Sequence, residues 1–186
     1  MNEYSDKELL EQFRNESSRN MAFNQLVRKY QKRVYWHIRR LVVDHDDADD
    51  VTQNTFIKAW KGLLNFKEDS QLFTWLYRIA TNESFSFLKQ KKASLNLPLD
   101  DVSYAISKTM ADDNFFTGDE IQKKLQQAIL TLPEKQRIVF NMKYFDEMKY
   151  EEMSRVLDTS VGALKASYHI AVKKIEAFVL KEAENR

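Results

Sequence analysis

Asp-Asp-Ala-Asp-Asp-Val-Thr-Gln-Asn-Thr-Phe-Ile-Lys-Ala-Trp, from Asp46 to Trp60, opens on aspartates and closes on bulky apolar residues. Carboxylates suit the positive N-terminal end of a helix dipole. Val51, Phe56, Trp60 and Leu63 follow at helical spacing, so a helix is predicted to start near Asp46. Before it, Phe23, Leu26, Val27, Tyr30, Val34, Ile38 and Leu41 recur every three or four residues and predict a helix with one buried face. Tyr4 to Arg19 reads as a shorter helix with Leu9, Leu10 and Phe13 inward. After it, Asn65 to Gln71 is polar and turn-forming, a loop. Phe-Thr-Trp-Leu-Tyr-Arg-Ile-Ala-Thr-Asn, Phe73 to Asn82, then opens a long helix with Phe73, Leu76, Ile79 or Ala80, Phe87 and Leu88 on its inner stripe.

Composition agrees with an all-α chain. In 186 residues there are 3 glycines and 2 prolines, too few for a turn-rich β architecture. Cysteine is absent, which excludes disulfides and thiolate metal sites. No apolar run is long enough to span a membrane, and Met1 to Leu10 lacks a signal-peptide core, so a cytoplasmic protein is expected. The net charge of +1 is uninformative, but its distribution is uneven. Arg28, Lys29, Lys32, Arg33, Arg39 and Arg40 form a basic stretch without an acid, and the aspartates from Asp44 to Asp50 follow it. Taken alone, each run is an ordinary solvated face.

Lys91 to Asp119 loses the helical period and contains Pro98, Gly118 and many acids, as expected of a flexible acidic linker. Helices resume with Leu125, Ile129 and Leu132, restart at Pro133, and carry Ile138, Val139, Met142 and Phe145. Tyr150 to Leu157 reads as a short helix. Asp158 to Ser160 reads as a tight connection, with Ser160 capping a last helix that carries Leu164, Tyr168, Ala171 and Ile175. The expected architecture is two small helical domains, residues 1–92 and 121–186, joined by a linker over 93–120. Whether they pack together is left open.

Two polar faces invite nucleic acid. Trp75, Arg78, Asn82 and Lys89 share a stripe of the long helix, mixing an aromatic for stacking with cations for phosphate. On the last helix Gly162, Ala163, Lys165, Ala166, His169, Lys173 and Lys174 lie off the apolar stripe, where a helix-turn-helix presents its reading face. Catalysis finds little support: His37, His45 and His169 are scattered, and no phosphate loop or nucleophile triad is present. His45 among aspartates resembles a metal site only superficially, since a helix N-terminus explains the acids. No metal, cofactor or small-molecule substrate is expected.

Those blocks, with Leu-Pro-Glu-Lys-Gln-Arg (Leu132 to Arg137) and Tyr-Glu-Glu-Met (Tyr150 to Met153), make the chain resemble bacterial sigma factors of the extracytoplasmic-function (ECF) group. The resemblance covers roughly Ala22 to Lys92 and Ile121 to Leu180. It implies a region-two bundle, a region-four helix-turn-helix, and promoter-specific transcription initiation with core RNA polymerase. Asp49, Val51, Gln53, Asn54 and Phe56 would dock on the β′ clamp helices, and region four would meet the β flap. Phe66, Lys67, Asp69 and Ser70 of the loop, with Ile79 and Asn82, would take a flipped base of the minus-ten element, and Trp75, Arg78 and Lys89 would approach it. Ser160, Gly162, Ala163, Lys165, Ala166, His169 and Lys173 would meet duplex minus-thirty-five DNA. An anti-sigma protein, often membrane-anchored, would be the regulatory partner, and the acidic linker would run toward the RNA exit path.

Two departures stand out. Lys149 occupies a position where the family often has a small hydroxyl residue, and the recognition helix lacks arginines in its first two turns. Bidentate arginine-to-guanine contacts are therefore unavailable. The alternative reading is a stand-alone helix-turn-helix regulator, and a helical adaptor with no DNA role ranks below it. A base-capturing loop and an acidic docking helix have no use in a simple repressor.

Overall fold

The computed structural model describes residues 4–95 and 120–184, which hold eight α-helices and no strand. They are α1 (Asp6–Arg14), α2 (Arg19–Val42), α3 (His45–Gly62), α4 (Leu72–Leu95), α5 (Glu120–Leu130), α6 (Glu134–Tyr144), α7 (Tyr150–Leu157) and α8 (Val161–Glu184). A 3-10 turn, Leu63–Asn65, extends α3. The all-α expectation is met. Most of the expected linker, residues 96–119, lies outside the described residues. Helix α4, however, passes the expected boundary at 92 and ends at Leu95. Lys91, Lys92 and Ala93 are good helix formers, and the two lysines find partners in Asp47 and Glu134.

Helix ends follow local chemistry. Ser5 starts α1: its hydroxyl accepts from the Glu8 N–H at 3.3 Å, and the Glu8 carboxylate accepts from the Ser5 N–H at 2.7 Å. The Asp44 carboxylate starts α3 by accepting from the Asp47 N–H at 3.0 Å. Between α2 and α3 the chain turns on Val43, whose φ of 68° is strained for a β-branched residue. Its side chain is buried, so packing holds the corner.

Helix α2 is central. It packs against α1, α3 and α4, burying Ala22, Leu26, Tyr30, Val34, Ile38 and Leu41. Helix α4 contributes Leu72, Phe73, Leu76, Tyr77 and Ala80, with rings of Phe73 and Tyr77 at 4.1 Å. In the C-terminal half, α8 packs against α5, α6 and α7. Ala128, Ile129, Leu132, Phe140, Ala171 and Ile175 form a core of their own there.

The question left open by the sequence has an answer: the halves pack together. Helix α4 lies against α7, and α2 against α6. One hydrophobic core continues from Leu9 of α1 through Leu88 of α4 to Met142, Met153, Val156 and Leu164. Leu76 sits at its centre with 0% exposure. Leu76→Ala is expected to cost about 2–5 kcal/mol, seen as a lower denaturant midpoint with an unchanged m value.

Candidate nucleic-acid interface

Four surfaces emerge from this packing. The first is an apolar groove of about 610 Å³ between α2 and α3, walled by Phe23, Val27, Phe56, Ile57 and Trp60 and rimmed by Asn20, Gln31, Thr52 and Gln53. Phe23 and Val27 belong to the apolar stripe of α2 but are only half-buried, because among the described residues no element covers that side of the α2–α3 pair. Trp60 stands edge-on to Phe23 at 5.0 Å and to Phe13 at 5.2 Å, which braces the groove from α1. Of the expected docking residues, Asp49, Gln53 and Asn54 are exposed. Val51 is 1% exposed and Phe56 8%, so both anchor α3 inside the bundle, although Phe56 also reaches the groove floor. The apolar side chain that α3 offers outward is Ile57, 52% exposed, which periodicity alone did not single out.

The second surface is the loop after α3 and the outer face of α4. Phe66 is buried and packs on Trp75 at 5.2 Å, so it supports the loop rather than facing solvent. Trp75 is half-buried and leans on Gly62; a Cβ added there would sit 3.2 Å from the indole Cζ2. Glu68 takes a positive φ of 58° and pairs with Arg14 of α1, which ties the loop to the bundle. Lys67 and Asp69 are exposed, and Ser70 is half-buried. Arg78, Asn82 and Lys89 form an exposed stripe, with Ile79 half-buried beside it. The structure thus brings the expected loop and stripe residues onto one surface, with Phe66 beneath it.

The third is the helix-turn-helix of α7 and α8. Lys149 cannot accept from the backbone, so only half a cap forms at α7: the Glu152 carboxylate takes the Lys149 N–H at 3.0 Å. Asp158 closes α7 in the left-handed region (φ 49°), which Asp tolerates. The Ser160 hydroxyl accepts from the Ala163 N–H at 3.3 Å, the expected cap of α8. Gly162, Ala163, Lys165, Ala166, His169, Lys173 and Lys174 are exposed on one side of α8, and Leu164, Ala171 and Ile175 are buried on the other. Lys165 Nζ lies 5.7 Å from the Tyr150 ring centroid, so an aromatic positions this cation.

The fourth was not anticipated. His37, 1% exposed, places Nε2 2.9 Å from Thr81 Oγ1 and Nδ1 3.3 Å from Asp146 Oδ2. Arg40 donates to Asp146 Oδ1 at 2.8 Å. A carboxylate only accepts, so Nδ1 carries a proton toward Asp146. Burial pushes the nearby Tyr77 phenol far up, and the Asp146 charge adds to the effect. Trp36 lines a polar crevice of about 300 Å³ at this junction, with Lys32, Arg33 and Arg40. The legible hint was His37 itself, a polar residue on the apolar side of α2 between Val34 and Leu41. Among the described residues no group of acids and histidines could hold a metal ion.

Comparison with known proteins decides what carries these surfaces. The sigma-70 region 2 family profile matches residues 26–94, and the sigma-70 region 4 profile matches residues 122–175. The chain is 31% identical over 179 residues to RNA polymerase sigma-H factor of Pseudomonas aeruginosa, covering 92% of each. The chain belongs to the ECF RNA polymerase sigma factors. ECF sigma factor SigW of Bacillus subtilis is 30% identical over 80% of this chain and 83% of its own length. For ECF sigma-E factor of Escherichia coli the values are 31%, 83% and 85%. Among solved structures the fold is shared with CnrH in complex with the cytosolic domain of CnrY, at a TM-score of 0.68 and 24% identity over 94% of this chain and 96% of that one. It is also shared with RpoE of Bartonella quintana in complex with the anti-sigma factor NepR, at 0.67 and 19% over 84% and 96%. As a sigma factor the chain binds core polymerase and directs promoter-specific initiation; the region 2 match runs from within α2 through α4, and the region 4 match from α5 into α8. The match of region two disfavours a stand-alone regulator. Among the described residues no helix of this sigma factor is long and apolar enough to cross a membrane. Because Ser160 holds the entry of α8, Ser160→Ala is expected to lower stability by about 0.5–2 kcal/mol, measured by thermal unfolding followed through helical circular dichroism.

Proposed function

We propose that this sigma factor acts without catalysis, in the cytoplasm, by spending binding energy on polymerase docking and promoter melting. The open α2–α3 groove supports the reading most directly. Its apolar floor and acidic approach at Asp46, Asp49 and Asp50 match what a helical partner such as the β′ clamp helices would need. Asp49, Gln53 and Asn54 steer and orient, while Ile57 and the groove supply apolar contact; Val51 and Phe56 act from beneath. Ile57→Asp leaves the bundle intact, since the side chain is already half in water, and is expected to weaken core polymerase binding at least tenfold. A titration of labelled sigma factor with core enzyme measures it. Unchanged affinity would remove the groove from the docking surface.

In the same reading, Lys67, Asp69, Ser70, Ile79 and Asn82 receive an unstacked minus-ten base, with Trp75 held ready by Phe66 and Gly62. Arg78 and Lys89 neutralise the single strand. Region four meets duplex minus-thirty-five DNA through Ser160, Gly162, Ala163, Lys165, Ala166, His169 and Lys173, and rests on the β flap. A lysine is a point charge where arginine offers a fork, so discrimination per contact is modest. Lys165→Ala is expected to cost about 1–3 kcal/mol of promoter binding if it meets a base edge. Run-off transcription on promoters varied at the minus-thirty-five element checks this, an unaltered sequence profile restricting Lys165 to phosphate contact. An anti-sigma protein, membrane-anchored or soluble, is the proposed regulator, and the acidic residues within 96–119 are proposed to track toward the RNA exit path.

A further inference from the structure

The basic stretch of α2 lines neither the apolar groove nor the two DNA-facing surfaces. Of its six cations, Lys29 pairs with Asp6 at 2.9 Å and Arg39 is buried. Lys32, Arg33 and Arg40 instead share one face of α2 with Trp36. They line a crevice of about 300 Å³, whose other wall is Phe145, Asp146 and Glu147 from the turn between α6 and α7. Pockets that take small molecules span about 300–1,000 Å³, so this crevice has room for one small ligand.

The charges in the crevice are not balanced. Other cations of the molecule face carboxylates: Arg14 pairs with Glu68, Lys58 with Glu83, Lys91 with Asp47 and Lys92 with Glu134. Lys32 and Arg33 are exposed, and among the described residues neither pairs with a carboxylate. Both arginines are already positioned by rings. Arg33 lies over Phe73 at 4.0 Å, and Arg40 over Phe145 at 4.5 Å. A guanidinium resting on a ring gives up less side-chain freedom when its N–H groups bind an anion. Asp146 does not cancel these cations. Its side chain is 7% exposed, and its two oxygens are taken by Arg40 at 2.8 Å and His37 at 3.3 Å. Glu147 is the exposed acid of the rim, and it only accepts. Its turn is fixed, because the Met148 N–H reaches back to the Met142 carbonyl at 3.0 Å. An occupant therefore needs anionic oxygens for Lys32 and Arg33, a flat ring for the half-buried Trp36, and a donor for Glu147. Inorganic phosphate meets only the first need. A nucleotide meets all three through its phosphates, its base and its ribose hydroxyls.

We propose that this crevice is a binding site for a mononucleotide, with the phosphates on Lys32 and Arg33, the base against the Trp36 indole, and a ribose hydroxyl or base amino group donating to Glu147. Arg40 adds positive potential while Asp146 and Phe145 hold it in place. The site shares no lining residue with the α2–α3 groove, the outer stripe of α4 or the exposed face of α8. It is therefore independent of the roles proposed for those surfaces.

Isothermal titration calorimetry of the full chain with ATP, GTP, pyrophosphate and adenosine tests the site. A nucleoside triphosphate is expected to bind once per chain. Pyrophosphate and adenosine, each keeping only part of the contacts, should bind at least about tenfold more weakly. Lys32→Ala with Arg33→Ala should weaken ATP binding about tenfold or more at an unchanged melting temperature, since both side chains are exposed. Trp36→Leu should reduce ATP to the affinity of pyrophosphate. If the tryptophan variant fails to fold, Lys32→Glu tests the phosphate contact alone and should also weaken ATP. Pyrophosphate binding as tightly as ATP would overturn the base contact and leave an inorganic-anion site. ATP affinity unaltered in the Lys32 and Arg33 variant would place the nucleotide elsewhere and sink the proposal, as would the absence of any saturable heat up to millimolar nucleotide. A single-stranded oligonucleotide that displaces ATP and binds more tightly would make the crevice a strand contact instead.

Discussion

Burial of one continuous stripe of α2, from Ala22 to Leu41, is the constraint on which everything else depends. Its upper part organises α1 and α3, and its lower part meets α4 and α6. A helix that serves so many neighbours cannot shift without disturbing all of them. The same helix therefore sets the groove on one side and the region junction on the other. The groove exists because Phe23 and Val27 extend the apolar stripe past the point where any neighbour among the described residues covers it. At the junction the same stripe adds a polar contact, His37 with Asp146 and Thr81, to the apolar packing.

Helix α4 shows how one helix divides its labour. One side carries Leu76, Tyr77, Ala80 and Leu88 into the core. Thr81 and Ser84 are small, fully buried, and satisfied by His37 and by the Ala80 carbonyl. The opposite stripe of Arg78, Asn82 and Lys89 remains in water. Burial of the first face holds the exposed stripe rigid, so a ligand bound there would lose less to ordering.

Much of this was legible in the residues. The helices, the Ser160 cap, the acidic start of α3 and the exposed face of α8 all follow from local chemistry and period. What escaped was whatever depends on a neighbour distant in sequence. Phe66 was placed in the base-accepting loop by the family pattern, whereas a ring contact with Trp75 decides its burial. Ile57 sits in an amphipathic segment whose outward apolar position only the packed bundle reveals. The end of α4 was placed too early because its last turn gains from Asp47 and Glu134, far away in the chain. Asp146 gave no local signal at all: one aspartate in a turn acquires meaning only beside His37 and Arg40.

The tryptophans have a consequence of a different kind. The chain has 3, and each stands at a separate surface: Trp36 at the junction crevice, Trp60 in the groove wall and Trp75 beside the loop. Region four has none. The molecule therefore carries one tryptophan at each of these surfaces and none in region four. Replacing any two with phenylalanine would leave a single-tryptophan reporter of the surface that keeps it, with no dye attached.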